Sequence, residues 1–514
     1  MSGKKIKILR QWVQVIFFLL FLGFFITATN HTIPNDWSNL FFRFDPLVAI
    51  TAMIAGRALI VGMLFSVVII LLTILFGRVW CGWICPLGSI LDWITPNKRK
   101  PAGNEPPDQW RVVKYFLLFM IVCAAIFGNQ TLLFLDPITI LSRTFTSAIW
   151  PALYYAVNST EKVLFQIEPL APAIDVFHTY FVFPLFRDIS AYFINAFPIM
   201  FFFIGIVGLN WIAERFWCRY ICPLGGLLGF FSRFSLVRRE VGEGCSGCGL
   251  CSKRCPTGTI DPKKNFISDP AECTVCYDCV ASCSKGDTSF RLQFPGYKPG
   301  SHQKYDLTRR KTIMALGAAA ALTATSGIES IRKTIPAHMI RPPGARLVDF
   351  ESLCIRCGAC VRICPTQGLQ PTLFESGLQN FLTPALVPRL GYCNYNCNAC
   401  GQVCPTGAIP LMSMQEKQKT SIGLARVDRT RCLPWAYNIP CIVCEEMCPL
   451  PDKAIRLEET VVENASGESI QVQRPYVVKE LCIGCGICEY KCPMGGDSAI
   501  RVFAYTEAGG SFYQ

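Results

Sequence analysis

The sequence predicts an α-helical membrane domain followed by two cysteine-rich α+β domains, and three observations carry this prediction. Hydrophobic residues make up 51% of the 514 residues and charged residues only 17%, with a mean hydropathy of +0.35. This composition is too apolar for a disordered chain or an ordinary soluble protein. Long uncharged stretches lie in the first half, whereas 24 of the 29 cysteines follow in regular groups after residue 240. So many cysteines in so long a chain indicate bound metal rather than a disulfide scaffold.

Four stretches without a charged residue are long enough to cross a bilayer, which takes about 20 residues. They cover residues 11–30, 58–77, 115–135 and 189–213. Lys and Arg are concentrated before the first stretch, between the second and third, and after the fourth, whereas residues 131–192 carry three basic and five acidic side chains. The positive-inside rule therefore predicts that the N-terminus and the chain after the fourth span are cytoplasmic. The length of the first stretch favours a retained anchor over a cleaved signal peptide.

The membrane domain contains an internal repeat. The second and fourth spans both lead into the sequence W-C-x-x-I-C-P-L-G, and an Asp-Pro pair follows the first span of each repeat, at Asp45 and Asp136. The cysteines of each motif are four residues apart, a spacing that puts them on one face of a helix. They are Cys81 and Cys85 in the first motif, and Cys218 and Cys222 in the second. Three interpretations stay open: a dithiol–disulfide couple, half of a shared metal site, or packing of small apolar side chains. Cys123, in the third span, has no partner at such a spacing, so we expect it to pack.

The first cysteine-rich domain follows the fourth span. Its eight cysteines occur twice in the order C-x2-C-x2-C-x3-C, the spacing of bacterial two-cluster ferredoxins, in which the last cysteine of each motif ligates the other cluster. This predicts two [4Fe–4S] clusters, one held by Cys245, Cys248, Cys251 and Cys283, and the other by Cys273, Cys276, Cys279 and Cys255. Structural zinc is disfavoured because the chain has only four histidines and every thiolate is used at cubane spacing. Since the domain directly follows an inside-facing span end, we expect it in the cytoplasm.

Residues 300–346 form a linker of different character. Arg309, Arg310 and Lys311 precede an alanine-rich uncharged run over residues 312–328. A basic pair before a short apolar segment resembles a twin-arginine export signal. We expect this run to be a fifth span that carries the C-terminal domain to the outside. The alternative is an ordinary alanine-rich helix or linker that stays inside.

Sixteen further cysteines fall into four groups in the C-terminal domain. Group 1 is Cys354, Cys357, Cys360 and Cys364; group 2 is Cys393, Cys397, Cys400 and Cys404; group 3 is Cys432, Cys441, Cys444 and Cys448; group 4 is Cys482, Cys485, Cys488 and Cys492. Sixteen thiolates predict four more [4Fe–4S] clusters. We expect the last cysteine of each group to ligate the cluster of a partner group. The expected pairing is nested, so that group 1 exchanges its last cysteine with group 4, and group 2 with group 3. Cys492 would then complete group 1, Cys364 group 4, Cys448 group 2 and Cys404 group 3.

The predicted fold is therefore an α-helical membrane domain with four spans and a fifth, plus two α+β ferredoxin-like iron–sulfur domains. The membrane domain covers residues 1–240, the two-cluster domain 241–299, the linker with the fifth span 300–346, and the four-cluster domain 347–514. The net charge of +13 counts every cysteine as neutral. Six oxidised clusters with four thiolates each carry about −12, which leaves about +1. The basic excess thus gives no reason to expect a nucleic-acid partner.

These motifs resemble those of a known pair of proteins. The repeated C-x-x-x-C-P motif, the four spans and the two-cluster domain resemble the NapH-type membrane polyferredoxin of periplasmic nitrate reductase systems. The twin-arginine-like segment, the sequence R-P-P-G-A that begins at Arg341, and the four-cluster domain resemble the NapG-type ferredoxin that accompanies it. Similar membrane modules occur in nitrous-oxide reductase regulators, methylamine-utilisation proteins and oxidase-assembly proteins. The resemblance covers nearly the whole chain and implies quinol oxidation and electron delivery to a periplasmic reductase.

The leading hypothesis is a multi-pass iron–sulfur protein of the bacterial inner membrane. It would pass electrons between the quinol pool and a redox partner, such as a periplasmic reductase or a multihaem cytochrome, as the quinol dehydrogenase component of anaerobic respiration. The alternatives are a maturation factor for an exported metalloenzyme and a membrane redox sensor. The candidate quinol residues on the predicted outer side are Asp45, Asp136 and His178. Asp before Pro is also a common helix start, and a histidine in an aromatic stretch often simply packs.

Overall fold

The computed structural model describes residues 3–28, 39–95, 106–186, 192–263, 265–293, 317, 339–345, 348–375, 377–463 and 469–504. The chain divides into two compact units. The first consists of Met1–Phe145 with Phe197–Ser330, and the second of Thr146–Ala196 with Ile331–Gln514. The predicted fifth span over residues 312–328 lies, except for Gly317, outside the described residues. Residues 146–196, which the sequence prediction assigned to the membrane domain, thus belong to the same unit as the C-terminal domain.

Apolar helices dominate the N-terminal part of the first unit. Its α-helices before the first ferredoxin domain are Gly3–Thr27, Leu40–Arg43, Pro46–Ala55, Ser66–Phe76, Pro86–Ile94, Val112–Ile126, Pro137–Thr144, Ala196–Gly208 and Pro223–Ser232. Short 3₁₀ turns extend three of them, at Val61–Met63, Asp108–Arg111 and Leu209–Trp211. Many large apolar side chains on these helices face outward, among them Trp12, Leu19 and Phe197. An outward apolar surface of this kind is typical of helices surrounded by lipid.

Three helical segments are long and apolar enough to cross a membrane: Gly3–Thr27, Asp108–Ile126 and Glu168–Phe186. The first two coincide with the first and third predicted spans. The second and fourth predicted spans correspond to the shorter apolar helices Val61–Phe76 and Ala196–Trp211. Glu168–Phe186 lies in the segment that the sequence prediction treated as a connection, and its acidic side chains are the reason that a search for uncharged stretches passed over it.

Each Asp-Pro pair starts a helix. The Asp45 carboxylate accepts hydrogen bonds from the backbone N–H groups of Leu47 (2.8 Å) and Val48 (3.3 Å), so it caps Pro46–Ala55. Asp136 does the same for Pro137–Thr144 through Ile138 (3.0 Å) and Thr139 (2.9 Å). Asp at the N-cap followed by Pro at the first helical position satisfies otherwise unpaired N–H groups. Both caps are fully buried.

The two cysteine motifs share one backbone shape. The first cysteine of each lies in a π-helical turn, Trp80–Ile84 or Trp217–Ile221, and the second has an extended backbone as the N-cap of the next helix. This corrects the expectation that each pair lies on one face of a regular helix. The physical reason is the proline that follows each second cysteine, because proline disfavours the helical region for the residue before it.

Four two-stranded antiparallel sheets complete the described parts of the two units. In the first unit, β1 (Val237–Val241) pairs with β2 (Thr288–Leu292) and frames the first ferredoxin domain, which also contains the helices Leu250–Lys253 and Asp278–Ala281. In the second unit, β3 (Leu369–Pro371) pairs with β4 (Pro384–Leu386). Strand β5 (Gly423–Val427) pairs with β8 (Ile500–Ala504), and β6 (Ile455–Glu463) pairs with β7 (Ser469–Val477).

Short helices carry the cysteine groups of the second unit. They are Phe350–Leu353, Ala359–Ile363, Ala399–Gln402, Met414–Lys419, Leu433–Ala436, Val443–Glu446 and Ile487–Lys491, and the connection adds Trp150–Leu164, Ala171–Phe177 and Phe183–Phe186. Ile340, Phe350 and Leu386 are part of an apolar core that also includes cluster-motif cysteines and Phe193 from the connection. The core is thus built around the cysteine loops themselves.

The connection between the third and fourth predicted spans packs on the C-terminal domain. Asn195 donates a hydrogen bond to the carbonyl oxygen of Pro371 (2.8 Å), and Gln370 donates to that of Tyr192 (3.0 Å). The guanidinium of Arg362 lies over the Trp150 ring at 4.9 Å. These contacts explain why residues 146–196 and the C-terminal domain form one unit.

Candidate metal centres

The first ferredoxin domain brings the last cysteine of its first motif to the second. The thiol of Cys255 interacts electrostatically with Cys273, Cys276 and Cys279. These four thiols come from the two motifs in the exchanged arrangement of two-cluster ferredoxins. The thiols of Cys245 and Cys248 lie beside Cys251, and the assignment of Cys283 to that set stays a prediction.

A left-handed residue shapes each motif that has regular spacing. Gly249, Tyr277, Gly358 and Gly486 have φ between 61° and 83°, and each stands directly before the short helix that carries the third cysteine. This conformation reverses the chain between the second and third thiols, so that three thiols of one loop face the same point. Gly enters the left-handed region at little cost. The corresponding residues of groups 2 and 3, Asn398 and Ile442, have negative φ, in keeping with their altered spacing.

The C-terminal domain pairs its cysteine groups differently from the sequence prediction. Cys404 of group 2 lies beside the first three cysteines of group 1, and Cys364 of group 1 beside those of group 2. In the same way Cys492 completes group 3, and Cys448 lies beside group 4. This corrects the nested pairing: group 1 exchanges with group 2, and group 3 with group 4. The packing of consecutive short helices brings together groups that are close in sequence.

These thiol sets fit iron–sulfur clusters. Cys432, Cys441, Cys444 and Cys492 line one cavity, together with apolar residues such as Val427 and Ile500. Backbone N–H groups point at the outer sulfurs, with Ile409 donating to Cys404 Sγ and Ala499 to Cys492 Sγ, both at 3.4 Å. Hydrogen bonds of this kind tune the potential of a bound cluster.

Two further properties of the thiols bear on the metal. Burial raises the pKa of both Cys273 and Cys485 to about 12, so thiolates at these positions need the charge of a metal. Among the described residues, no three or more His, Cys, Asp or Glu side chains are close enough to ligate a single ion. A four-iron cluster spaces its thiolates more widely than a single ion does.

The two C-x-x-x-C-P motifs of the membrane domain face each other. Cys81 interacts electrostatically with Cys85, Cys218 and Cys222, and all four side chains are buried. We call these four residues the thiol quartet. An arginine accompanies each half: Arg78 Nη2 lies 3.9 Å from Cys81 Sγ, and Arg215 Nη1 donates to the Cys81 carbonyl oxygen at 2.9 Å.

A buried ion cluster joins the first ferredoxin domain to the apolar helices. The Glu272 carboxylate accepts hydrogen bonds from Lys114 (2.5 and 2.7 Å), Arg111 (3.3 Å) and Arg78 (3.4 Å). Although burial opposes ionisation, these three cations hold the pKa of Glu272 down at about 2. The Asp92 carboxylate likewise pairs with a buried cation. Its two oxygens accept hydrogen bonds from Nε (2.5 Å) and Nη2 (2.6 Å) of Arg215.

The sequence reasoning did not single out these charged residues. A signal for two of them was present, because Arg78 and Arg215 stand three residues before the first cysteine of each motif. The repeat is therefore R-x-W-C-x-x-I-C-P-L-G. No local pattern marks Glu272, which lies in a loop between cysteines 255 and 273 and meets its partners only in the folded protein.

The candidate quinol residues lie in different units of the structure, the two aspartates in the first and His178 in the second. Asp45 and Asp136 meet through their side chains, each also capping its own helix, and both are fully buried. Two buried carboxyl groups this close disfavour joint ionisation, because their like charges repel each other. His178 belongs to the other unit, where its Nδ1 lies 2.9 Å from Glu161 Oε2. The structure thus brings together the two aspartates of the repeat.

Three family models match four parts of the chain. A model described as "4Fe-4S binding domain" matches residues 58–102 and again 195–242, which are the two halves of the internal repeat. Two models described as "4Fe-4S dicluster domain" match residues 353–408 and 439–497. The first of these holds groups 1 and 2, and the second holds group 4 with most of group 3. The boundaries of these matches agree with the exchange of cysteines within each half.

Known relatives cover overlapping parts of the chain. It is 36% identical over 211 residues to the methylamine utilization ferredoxin-type protein MauM of Methylorubrum extorquens, a match that spans 40% of this chain and 90% of that protein. It is 33% identical over 205 residues to the ferredoxin-type protein NapG of Escherichia coli, spanning 39% of this chain and 86% of NapG. The chain belongs to the NapG/NapH-like polyferredoxins.

This polyferredoxin is accordingly a ferredoxin-type electron-transfer protein that binds iron–sulfur clusters. The resemblance inferred from the motifs is confirmed. A third relative, the putative electron transport protein YccM of Escherichia coli, is 28% identical over 250 residues, which span 47% of this chain and 58% of YccM. No solved structure matches the chain.

Proposed function

We propose that this polyferredoxin is a membrane-bound electron conduit that carries electrons from quinol to a redox protein on the periplasmic side. Its relatives are named for ferredoxin-type roles in methylamine utilization and as NapG, which suggests that the partner is a reductase or an electron carrier. The observation that carries the proposal is the placement of the first ferredoxin domain directly on the helix ends that bear the cysteine motifs. Six [4Fe–4S] clusters in two ferredoxin domains supply the path, each passing one electron at a time.

The contact between that domain and the helices is close. A methyl group added at Gly82 would come within 2.1 Å of the Thr274 carbonyl oxygen, so the two backbones touch at this glycine. Trp83 Nε1 donates to the Val275 carbonyl oxygen at 2.9 Å. Thr274 and Val275 lie between Cys273 and Cys276, so the loop of one predicted cluster rests on the first cysteine motif. Glu272 fixes this arrangement through its three cations.

We propose that the four spans predicted from the sequence and the fifth cross the membrane, and that Glu168–Phe186, which belongs to the same unit as the C-terminal domain, does not. The first ferredoxin domain would then lie in the cytoplasm of the bacterial cell and the four-cluster domain in the periplasm. The charge distribution at the span ends supports the cytoplasmic placement of the first. The contacts of Asn195 and Gln370 support the placement of the second, because they join the C-terminal domain to a connection that is poor in basic residues and predicted to lie outside. The membrane is the inner membrane.

The aspartate pair is the proposed proton acceptor for quinol. Oxidation of a quinol releases two protons and two electrons, and the electrons must leave singly when the acceptors are iron–sulfur clusters. Asp45 and Asp136, buried and in contact, can take up a proton at a site from which bulk water is excluded. Their exchangeable proton is the structural property that favours them over His178, which is already paired with Glu161.

Quinol-driven reduction of the full chain tests the proposal. The protein would be purified without oxygen, placed in lipid nanodiscs and mixed with a water-soluble menaquinol analogue while the cluster absorbance near 400 nm is followed. We expect the quinol analogue to reduce the clusters, and an added artificial electron acceptor to reoxidise them, over many turnovers. Reduction that stops after one equivalent, or that does not occur, would contradict the conduit and favour a maturation factor or a sensor.

The topology is tested separately, in intact cells. A cysteine-free protease tag placed after Gln514 is expected to be cleaved from the outside once the outer membrane is opened. A tag that is protected in spheroplasts but cleaved in inverted vesicles would place the four-cluster domain in the cytoplasm and refute the proposed topology.

A further inference from the structure

We propose that the thiol quartet binds one further iron–sulfur cluster, shared between the two halves of the internal repeat. The site lies outside the two ferredoxin domains and adds to the six clusters proposed above. It does not depend on quinol being the electron donor. Its four ligands would be Cys81, Cys85, Cys218 and Cys222.

The first argument is the reciprocal contact of the two motifs. Arg78, from the first motif, lies beside its own Cys81 and also against the second motif, because a methyl group at Gly225 would come within 2.7 Å of its Nη2. Arg215, from the second motif, donates to the Cys81 carbonyl oxygen and passes 3.9 Å from the corresponding position at Gly88. Each arginine thus lies against the opposite motif. The repeat encloses the four thiols between these two crossings.

The second argument is a pair of buried donors without a partner, one in each cysteine motif. Trp80 and Trp217 precede the first cysteine of each motif and are 5% and 3% exposed. Among the described residues, neither indole N–H has a hydrogen-bond acceptor. A buried N–H without an acceptor costs about 1–3 kcal/mol. The sulfides and thiolates of a cluster are acceptors, and two such donors stand at equivalent positions of the repeat.

The third argument is charge. The buried ion network at this end of the helices contains five cations and three carboxylates: Arg10, Arg78, Arg111, Lys114 and Arg215 face Asp92, Glu272 and Asp278. The partly exposed Lys7 and Asp108 add one charge of each sign. Among these ion-paired residues of the described chain, cations therefore outnumber carboxylates. A cluster with four thiolates carries about −2, whereas four thiols or two disulfides carry none.

The fourth argument is the number of ligands. The family model described as "4Fe-4S binding domain" matches each half of the repeat, yet each matched segment contains only two cysteines. A cluster of this kind takes four thiolates. One cluster can therefore be completed only if the two halves contribute to it together, which is the arrangement that the folded chain presents.

A cluster at this position would extend the electron path into the membrane domain. The first motif contacts the loop between Cys273 and Cys276 through Gly82 and Trp83. Arg215 interacts electrostatically with both Cys218 and Cys276, so one side chain is close to a cysteine of each set. A single electron would move from one cluster to the other, so that the donor is oxidised and the acceptor reduced by one electron, with no proton or ligand exchanged.

Iron content and cysteine state test the proposal on the full-length protein purified without oxygen. We expect about 28 iron atoms per chain, four for each of seven clusters. The double variant Cys81→Ser with Cys218→Ser is expected to lose about four iron atoms and one component of the reduced electron paramagnetic resonance spectrum. The matched control is Cys123→Ser, which changes a partly buried cysteine in a neighbouring helix and should lose neither.

Two results would overturn the proposal. One is an iron content of about 24 atoms per chain in the unmodified protein, which leaves no iron for a seventh cluster. The other is that alkylation under denaturing conditions, without prior reduction, leaves the four cysteines unlabelled, since this would show that they form disulfides. Both measurements can be made on the unmodified protein, so a variant that fails to fold does not prevent the test. Failure of the quinol assay would leave the iron content unchanged and is thus a separate outcome.

Discussion

Replacing Glu272 by Gln is the perturbation that tests most directly how the first ferredoxin domain is held on the apolar helices. Glu272 is 2% exposed and is shared by Lys114, Arg111 and Arg78. Glutamine has nearly the same size but no charge, so three buried cations would face a neutral amide. Removing one partner of a buried ion pair costs about 3–5 kcal/mol.

The lowered pKa of Glu272 leads to a similar estimate of the free energy that its ionised form contributes to folding. Its value of about 2 is roughly 2.5 units below the ordinary value of 4.5. At about 1.4 kcal/mol per unit, the ionised form is stabilised in the folded protein by about 3 kcal/mol. Because the folded-state pKa is lowered, this contribution is present above about pH 4.5 and is lost as the pH falls toward 2. The Glu272→Gln variant should therefore be less stable at neutral pH and should lose less stability than the unmodified protein on acidification.

Thermal unfolding in detergent, followed by the loss of cluster absorbance and by tryptophan fluorescence, measures the effect. A loss of about 3 kcal/mol should lower the Tm by about 6–12 °C. The matched control is Asp108→Asn, which removes a partly exposed partner of Arg111. Because the Asp108 carboxylate is about one third exposed and Arg111 keeps Glu272 as a partner, we expect the control to cost about 1 kcal/mol or less and to lie within about 3 °C of the unmodified protein. Equal Tm values for the two variants would refute the reasoning.

Three further predictions address the clusters, the aspartate pair and the C-terminal unit. Cys404→Ser should disrupt the cluster of group 1 and leave that of group 3 intact, as followed by electron paramagnetic resonance; loss of the group 3 signal instead would support the nested pairing. Asp45→Asn retains a good helix cap but cannot ionise, so it should slow quinol-driven reduction by tenfold or more without lowering the Tm. An unchanged rate would exclude the aspartate from proton uptake. Asn195→Ala removes a hydrogen bond to Pro371 and should cost about 1 kcal/mol, measured as faster proteolysis of the connection; unchanged proteolysis would contradict the role of this contact.

The sequence by itself determined the chemistry of the cluster motifs. Three cysteines within seven residues, with Gly or Tyr in a left-handed conformation before the third, define a local loop whose ligands are near one another whatever the rest of the chain does. The internal repeat, the Asp-Pro helix starts and the resemblance to polyferredoxins were also visible in short stretches of sequence. Apolar composition indicated the helices, although Glu168–Phe186 was missed because it contains acidic residues.

The fold of the C-terminal domain was needed to see which fourth cysteine lies beside each group. Spacing within a loop does not state which distant loop will pack against it, and both the nested and the consecutive pairing satisfy the same ligand count. The consecutive pairing closes shorter loops, which costs less conformational entropy. It places Cys404 with group 1 and Cys492 with group 3.

The meeting of the two repeat halves was likewise beyond the sequence. Cys81 and Cys218 are 137 residues apart, and Asp45 and Asp136 are 91 apart, yet each pair becomes adjacent because the helices of the two halves pack face to face. Glu272 carries no motif at all, and its pKa is set by three cations from other elements. Electrostatics and burial act through space, whereas a sequence motif records only neighbours along the chain. The local ligand loops could therefore be read from the sequence, but their pairing and the buried charges around them required the folded molecule.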